Sequence, residues 1–98
     1  EHQPTPTTFA LHQNYPNPFN PITTIYYQLP ISSHVSLVIY NIKGEKVKIL
    51  VDEQKRAGVH SVVWDGRDQE GVFVPTGVYI CRMRAEDFTE TRKITFLR

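Results

Sequence analysis

This chain has a single cysteine, no long apolar run and no large excess of charge of either sign. The only cysteine among the 98 residues is Cys81, so an internal disulfide is excluded. No apolar stretch approaches the roughly 18 residues of a membrane-spanning helix, and the first residues lack the pattern of a signal peptide. The 11 basic and 10 acidic residues give a formal net charge of +1, which argues against a nucleic-acid-binding surface.

Residues suited to catalysis or metal binding are equally few. The four histidines, at positions 2, 12, 34 and 60, have no partners at the spacing of metal ligands. His60 alternates with apolar residues, which favours a packed or rim position. Cys81 lies between hydrophobic residues, so we expect a buried, inert thiol. Because a phosphate-binding glycine loop and a nucleophile turn are also missing, we expect no enzyme activity, cofactor or metal.

Three carboxylates cluster in one predicted turn. Asp65, Asp68 and Glu70 could offer oxygens to a calcium ion, but the full pattern of a calcium loop is missing. Arg67 places a cation in the middle of the cluster. We therefore favour aspartates that cap the turn, and calcium binding stays open.

Three of the seven prolines fall within residues 15–21, Tyr-Pro-Asn-Pro-Phe-Asn-Pro. Each proline fixes φ at about −65° and removes a backbone donor, and each residue before a proline is pushed out of the helical region. The segment must therefore be an extended or turned arm. Because Tyr15 and Phe19 are costly to leave in water, we predict that both aromatics pin this arm to the following domain, unlike a plain linker.

Most of the remaining chain alternates apolar and polar residues with a period of two, as β-strands do. Gly44 is placed to supply a positive φ in one hairpin, and no segment has helical periodicity. Short strands with frequent turns predict a single antiparallel Ig-like β-sandwich of about seven strands, without a disulfide. The predicted strands cover residues 9–11, 22–29, 35–40, 46–51, 59–65, 78–85 and 88–97.

The same patterns predict the core and the irregular places. Trp64, the only tryptophan, is expected in the core with its indole N–H bonded to a carbonyl, or at the rim. The adjacent apolar residues 49–51 indicate a bulge or a strand end. A polar connection is predicted over residues 31–34, and a charged loop over residues 52–57.

Two tyrosines fall on the faces opposite the core. Tyr26 and Tyr40 could form a platform on which a sugar stacks, or they could pack beneath the proline-rich arm. We favour packing, because the arm needs a surface to dock on, and single exposed apolar side chains need no function.

The first eight residues are rich in proline and threonine, and the chain does not begin with methionine. This composition is typical of an extended linker, and the start indicates a piece of a longer polypeptide. We therefore expect residues 1–8 to be a linker from a preceding domain and residues 9–98 to form the sandwich.

Several of these motifs occur together in one known family. Their order over about residues 11–98 resembles the C-terminal sorting domains of the bacterial type IX secretion system, also called the Por secretion system. One stretch, residues 58–71, looks more like the Ig-like domain of flagellar hook-capping proteins, a family similar in sequence. The sorting-domain motifs are residues 14–21 (Asn-Tyr-Pro-Asn-Pro-Phe-Asn-Pro), Thr23-Thr24-Ile25, Leu29-Pro30, residues 35–47 (Val-Ser-Leu-Val-Ile-Tyr-Asn-Ile-Lys-Gly-Glu-Lys-Val), Gly77-Val78-Tyr79 and Lys93-Ile94.

The resemblance implies a non-catalytic secretion domain. Such domains lie at the C-terminus of large exported proteins, which reach the periplasm by another signal and are then targeted to the outer-membrane type IX translocon and the cell surface. The implied partners are translocon components, a sortase-like enzyme that would cut near residues 1–8, and the N-terminal cargo domain. Neither nucleic acid nor a membrane span is implied, and a monomer is expected.

The resemblance also implies where recognition occurs. The final hairpin, residues 77–98, would form the recognition surface, and the arm would be a second recognition or folding element. Two alternatives stay open, an accessory carbohydrate-binding module and a structural spacer. The residues expected to contribute to recognition are Pro16, Asn17, Pro18, Phe19, Gly44, Gly77, Tyr79 and Lys93.

Overall fold

The computed structural model describes residues 4–98, which form two antiparallel β-sheets. The strands are β1 (Ala10–Leu11), β2 (Thr23–Leu29), β3 (Ser33–Tyr40), β4 (Lys46–Lys55), β5 (Gly58–Trp64), β6 (Gly77–Ala85) and β7 (Phe88–Phe96). Sheet A has the order β1-β2-β5, and sheet B has the order β4-β3-β6-β7. The predicted class, an Ig-like β-sandwich of seven strands without a disulfide, is confirmed. Residues 4–98 contain no helix that is long and apolar enough to cross a membrane.

Alternation along the strands builds the core. Successive side chains of a strand point to opposite faces, so each sheet presents one apolar face to the other sheet. In β2 and β6 every second residue is buried, and the residues between them are partly or fully exposed. The buried residues of these two strands are Thr23, Ile25, Tyr27, Leu29, Tyr79, Cys81, Met83 and Ala85.

Trp64 is the largest fully buried side chain. Its ring lies edge-on to Tyr79, with the ring centroids 5.5 Å apart, and 6.2 Å from Phe96. The indole N–H donates to the carbonyl of Arg67 at 2.9 Å, which satisfies the polar atom of an otherwise apolar side chain. The predicted core position and carbonyl partner of the tryptophan are confirmed.

Two stretches predicted as connections belong to strands instead. β3 begins at Ser33 and β4 continues to Lys55, and these two residues pair across the sheet. The predicted polar connection over residues 31–34 and charged loop over residues 52–57 are therefore wrong in part. Backbone pairing does not require apolar side chains, and the charged end of β4 has its own ion pair, in which Lys55 Nζ lies 2.7 Å from Glu53.

The irregularity expected near residues 49–51 is a bulge. Leu37 pairs with Val51, whereas Val38 pairs with Ile49, so Leu50 is the extra residue in β4. A second shift in register follows two residues further along β3. The blurred alternation of this strand thus has a structural cause.

The β3–β4 hairpin turns where the sequence predicts. Gly44 has φ +83°, a conformation that favours glycine. The side-chain oxygen of Asn41 accepts the backbone N–H groups of Lys43 and Glu45 at 2.9 and 3.0 Å. The turn is therefore closed by its own residues.

The carboxylates after β5 cap their own turn. Asp65 accepts the N–H of Arg67 at 3.1 Å, and Asp68 accepts those of Glu70 and Val72 at 2.9 and 3.0 Å. These bonds confirm the predicted capping role of the aspartates. In residues 4–98, no group of three or more His, Cys, Asp or Glu side chains is arranged to hold a metal ion.

The two outward-facing tyrosines belong to different sheets. Tyr26 lies on sheet A and is 46% exposed. Tyr40 lies on sheet B, where it accepts a hydrogen bond of 2.9 Å from Arg82, whose guanidinium also stacks on the ring. Arg82, and not the arm, contacts Tyr40, so the predicted packing beneath the arm is wrong for Tyr40. The outer faces of opposite sheets point away from each other, so one shared sugar platform is excluded as well.

The start of the predicted linker, residues 1–3, lies outside the described residues. Residues 4–8 form no strand, and the amide of Gln28 donates to the carbonyl of Thr8 at 3.2 Å. Phe9 then stacks on Phe88 with ring centroids 5.5 Å apart. This contact joins the beginning of the sandwich to β7.

Candidate functional site

The proline arm, residues 15–21, runs from sheet A to sheet B. At its start, Tyr15 and Thr24 exchange two backbone hydrogen bonds of 2.9 Å. At its centre, Phe19 donates to the carbonyl of Thr95 at 2.9 Å and accepts the N–H of Leu97 at 3.1 Å. All three Xaa–Pro bonds of the arm are cis. The arm thus docks on its own domain and adds a short pairing to the outer edge of β7.

The two aromatics of the arm have opposite surroundings. Phe19 is 1% exposed and lies 5.3 Å from Trp64 and 4.8 Å from Phe96, measured between ring centroids. Tyr15 is 78% exposed, because its partner Thr24 points outward and directly paired residues share a face. The predicted pinning of the arm is confirmed for Phe19 and wrong for Tyr15.

Phe96, beneath Phe19, is in turn packed against the chain after β5. Gly66 has φ +77°, and a Cβ atom added there would lie 2.7 Å from Cζ of Phe96. Such a distance is too short for any side chain, so only glycine fits this close approach. Gly66 lies within the turn predicted around Asp65 and Asp68, but the sequence gives no sign of this contact.

A buried amide organises the chain just before the arm. The Nδ2 group of Asn14 donates to Thr23 Oγ1 at 2.8 Å and to the carbonyl of Pro16 at 3.1 Å. The hydroxyl of Thr23 donates to the same carbonyl at 2.8 Å. Asn14 belongs to a motif that resembles sorting domains, but sequence reasoning missed this buried role. The available signal was a polar residue, Thr23, at an inward position of β2, which needs a partner when buried.

Side chains of the arm and its approach also bind the backbone of β7. Asn17 Oδ1 accepts the N–H of Thr95 at 2.9 Å, and its amide lies 3.5 Å from the carbonyl of Lys93. The amide of Gln13 donates to that same carbonyl at 2.8 Å. The backbone of Lys93 therefore holds the arm, while its side chain stays exposed.

Four of the expected recognition residues lie exposed at this junction: Pro16, Asn17, Pro18 and Lys93. Phe19 and Tyr79 are buried, at 1% and 5% exposure. The hydroxyl of Tyr79 donates to the carbonyl of Pro75 at 2.7 Å, and burial raises the pKa of this phenol. These two aromatics support the surface from beneath.

The two expected glycines lie at different places. Gly77 opens β6 and pairs with Phe96, directly beneath the arm. Gly44 lies in the β3–β4 hairpin, where its N–H donates to the carbonyl of Asn41 at 3.0 Å. The structure thus brings Gly77 to the arm and leaves Gly44 in its hairpin.

A shallow cavity separates that hairpin from the loop after β5. Its volume is about 440 Å³, and Lys46, Asp68, Glu70 and Tyr79 are among the lining residues. Both signs of charge are represented, and the cavity is open to solvent. It has no buried acid–base pair, and we assign no chemistry to it.

The remaining candidate groups have structural surroundings. Cys81 is fully buried, and burial raises the pKa of its thiol to about 12, as expected for an unreactive cysteine. The ring of His60 stacks on Tyr27 with centroids 5.3 Å apart, and its Nε2 bonds the carbonyl of Arg56 at 2.7 Å. The predictions of a buried thiol and a packed rim histidine are confirmed.

Comparison with known proteins identifies the family. The model of the FlgD Ig-like domain family matches residues 21–87. The chain belongs to the FlgD Ig-like domain family. Most of the arm and all of β7 lie outside the matched residues. No curated protein matches the chain.

Two solved structures resemble this FlgD-type domain. FlgD from P. aeruginosa has 29% identity and a TM-score of 0.59, over 76% of this chain and 58% of that one. PorZ, described as an essential surface component of the type-IX secretion system of Porphyromonas gingivalis, has 20% identity and a TM-score of 0.60, over 92% of this chain and 11% of that one. The PorZ likeness shows the fold alone. The chain spans less than two thirds of the length of either protein.

Proposed function

We propose that this chain is a non-catalytic sorting domain. It targets a larger exported protein through the periplasm to the outer-membrane type IX translocon and the cell surface. Its partners are translocon components, a processing enzyme that cuts near residues 1–8, and the cargo domain. The sequence resemblance over residues 11–98 supports the proposal, and so does a fold shared with a protein described as a component of that system.

The observation that carries this proposal is the contact between the arm and β7. Two of the segments that resemble sorting domains, the arm and the final hairpin, are far apart in sequence, yet Asn17 and Phe19 bond directly to Thr95 and Leu97. A translocon protein could therefore contact both segments at once. Pro16, Asn17, Pro18 and the Lys93 side chain are the exposed part of this surface. Phe19, Tyr79 and Gly77 maintain its shape, whereas Gly44 lies apart from it in the β3–β4 hairpin.

A fusion-export assay tests the proposal. Residues 1–98 are fused to the C-terminus of an inert reporter in a host that has the translocon, and surface and medium fractions are measured. Deleting residues 77–98 is a poor variant, because it removes β6 and β7, half of sheet B. Point variants on the exposed surface avoid that difficulty.

Lys93→Glu reverses the charge beside the arm without touching a described side-chain contact. Arg84→Glu is the matched control, since Arg84 is also exposed and lies on the adjacent strand of the same sheet. We expect export to fall about tenfold or more for Lys93→Glu, with both variants unfolding thermally near the wild-type midpoint. Equal export of the two variants would remove Lys93 from the recognition surface.

A structural spacer is the second candidate, and membership of the FlgD Ig-like family favours it. A spacer needs a stable fold but no translocon contact. If the wild-type fusion folds and is not exported, the spacer function replaces the sorting function.

A further inference from the structure

β5 is an unprotected edge strand. It pairs with β2 along its whole length, in seven consecutive residue pairs without a bulge. Within residues 4–98, no strand lies on its other side, and no hydrogen bond from a loop or a side chain reaches the backbone of residues 58–64. An unpaired edge of this kind is a template for another strand.

The outer edge of sheet B at β4 is blocked. The backbone N–H of Gln69 donates to the carbonyl of Val47 at 3.0 Å, and its side-chain oxygen accepts the N–H of Ile49 at 2.9 Å. Two bulges distort the same half of the strand, and the other half carries Asp52, Glu53 and Lys55. Bulges and charges are the usual protection of an edge.

The lateral edge of the sandwich at which β1 of sheet A and β7 of sheet B lie is also closed. β1 has only two residues, and the proline arm covers the end of β7. Glu90 and Arg92, on the core-facing side of β7, bond each other at 2.8 Å. Inward charges of this type discourage the approach of another strand.

β5 has none of these protections. Its sequence, Gly-Val-His-Ser-Val-Val-Trp, contains no proline and no carboxylate, lysine or arginine. Val59 and Val63 are 57% and 51% exposed, and they flank the exposed Ser61 on the outer face. The neighbouring outward residues of β2 are also uncharged: Thr24, Tyr26 and Gln28.

We propose that β5 pairs with β5 of a second copy of this chain. In an antiparallel pairing with its two-fold axis at Ser61, Val59 of one copy lies opposite Val63 of the other, and the two Ser61 residues face each other. The exposed Arg56 of one copy then approaches the region of Asp65 of the other. Every opposed pair along the strand is free of like charges, as a self-complementary contact requires. The two copies of sheet A become one six-stranded sheet.

This association is weak and does not depend on export. Seven residues of one strand bury far less than the roughly 1,200 Å² of a standard interface. We expect a monomer in dilute solution and a dimer above roughly 0.1 mM, which corresponds to about −5.5 kcal/mol. The contact becomes significant where copies are concentrated, such as on a surface.

Sedimentation velocity on residues 1–98, from about 10 μM to about 1 mM, tests the proposal. Ser61→Lys places two lysines face to face across the two-fold axis, and we expect the dimer to weaken about fivefold. Ser61→Glu should weaken it similarly. Because lysine then faces glutamate, an equimolar mixture of the two variants should associate more tightly than either variant alone.

Thr89→Lys, at an exposed position of β7 in the other sheet, is the matched control and should dimerise like the wild type. Thermal unfolding of each variant verifies that the fold is intact. A wild-type chain that stays monomeric at about 1 mM overturns the proposal. So does a Ser61→Lys variant that dimerises like Thr89→Lys, or a mixture that associates no better than its components.

Discussion

The two lateral edges of the sandwich are closed to different degrees. At one edge the proline arm satisfies backbone groups of β7 through Phe19 and Asn17. At the other, β5 pairs with β2 alone among the strands of residues 4–98. The arm can cover an edge without creating a new one, because Pro16, Pro18 and Pro21 offer no N–H to a further strand. β5 has the regular, uncharged pattern of a strand that is able to accept another.

Truncating Phe19 should release the arm from the edge at β7, and we expect the largest loss of stability from this variant. Phe19→Ala leaves a cavity between Trp64 and Phe96, and we expect the free energy of unfolding in urea to fall by about 3–5 kcal/mol. Tyr15→Ala is the control within the same arm, because Tyr15 is 78% exposed and should change stability by about 0.5 kcal/mol or less. Similar losses in the two variants would contradict the pinning role of Phe19.

Gly66→Ala should disturb the same edge from below. The new methyl group would collide with Phe96 and would also force alanine into a φ of +77°. We expect a loss of about 2–4 kcal/mol. Gly71→Ala has a similar φ, +84°, and nothing within 4 Å of the added atom, so it should cost about 1 kcal/mol. If the two variants are equally stable in urea, the close packing on Phe96 is wrong.

The ionisation of Cys81 tests whether the core between the two edges excludes water. Burial raises the pKa of its thiol from 9.0 to about 12, so between pH 9 and pH 12 the thiolate forms mainly in the unfolded chain. The free energy of unfolding should therefore decline as the pH rises from 9 towards 12, with up to about 1.4 kcal/mol per pH unit from this group. Cys81→Ala removes this contribution and leaves the tyrosines in place.

Urea unfolding of both proteins at about pH 8 and about pH 10 measures the difference in slope. The wild type should lose about 1.3 kcal/mol more than Cys81→Ala over this interval. Parallel losses would mean that the thiol ionises in the folded state, and therefore that the core admits water.

Gln69→Ala should make the edge at β4 more accessible to another strand, as the edge at β5 is. We expect the smallest loss of stability from this variant. The variant removes the acceptor of the Ile49 N–H, which should cost about 0.5–1 kcal/mol. We expect greater self-association in sedimentation experiments than for Gln54→Ala, the control at an exposed position of the same strand. No difference between these variants would show that Gln69 does not protect the edge.

The sequence predicts the features that depend on local pattern. Alternation places Ile25, Tyr27 and Leu29 inward, and the hairpin needs a glycine at position 44. The core position of Trp64 follows from its size and its place in β5. The class of fold could be predicted because these local signals agree with one another.

Features that depend on pairing between distant segments could not be predicted. The charged end of β4 is a strand because Ser33 lies beside Lys55. Tyr15 is exposed because it shares a face with Thr24, although its chemistry predicts burial. The folded arrangement of segments far apart in sequence decides which strands form open edges. It also decides which backbone groups form hydrogen bonds with Asn17 and Gln69.

Amide hydrogen exchange on the dilute chain, measured residue by residue by NMR, compares the two edges directly. If the arm is an integral part of the fold, the Leu97 N–H, bonded to Phe19, is protected. It should exchange at least about a hundredfold more slowly than the amides of β5 that point away from β2. A Leu97 amide that exchanges as fast as those of β5 would show that the arm does not close its edge, and would contradict this account.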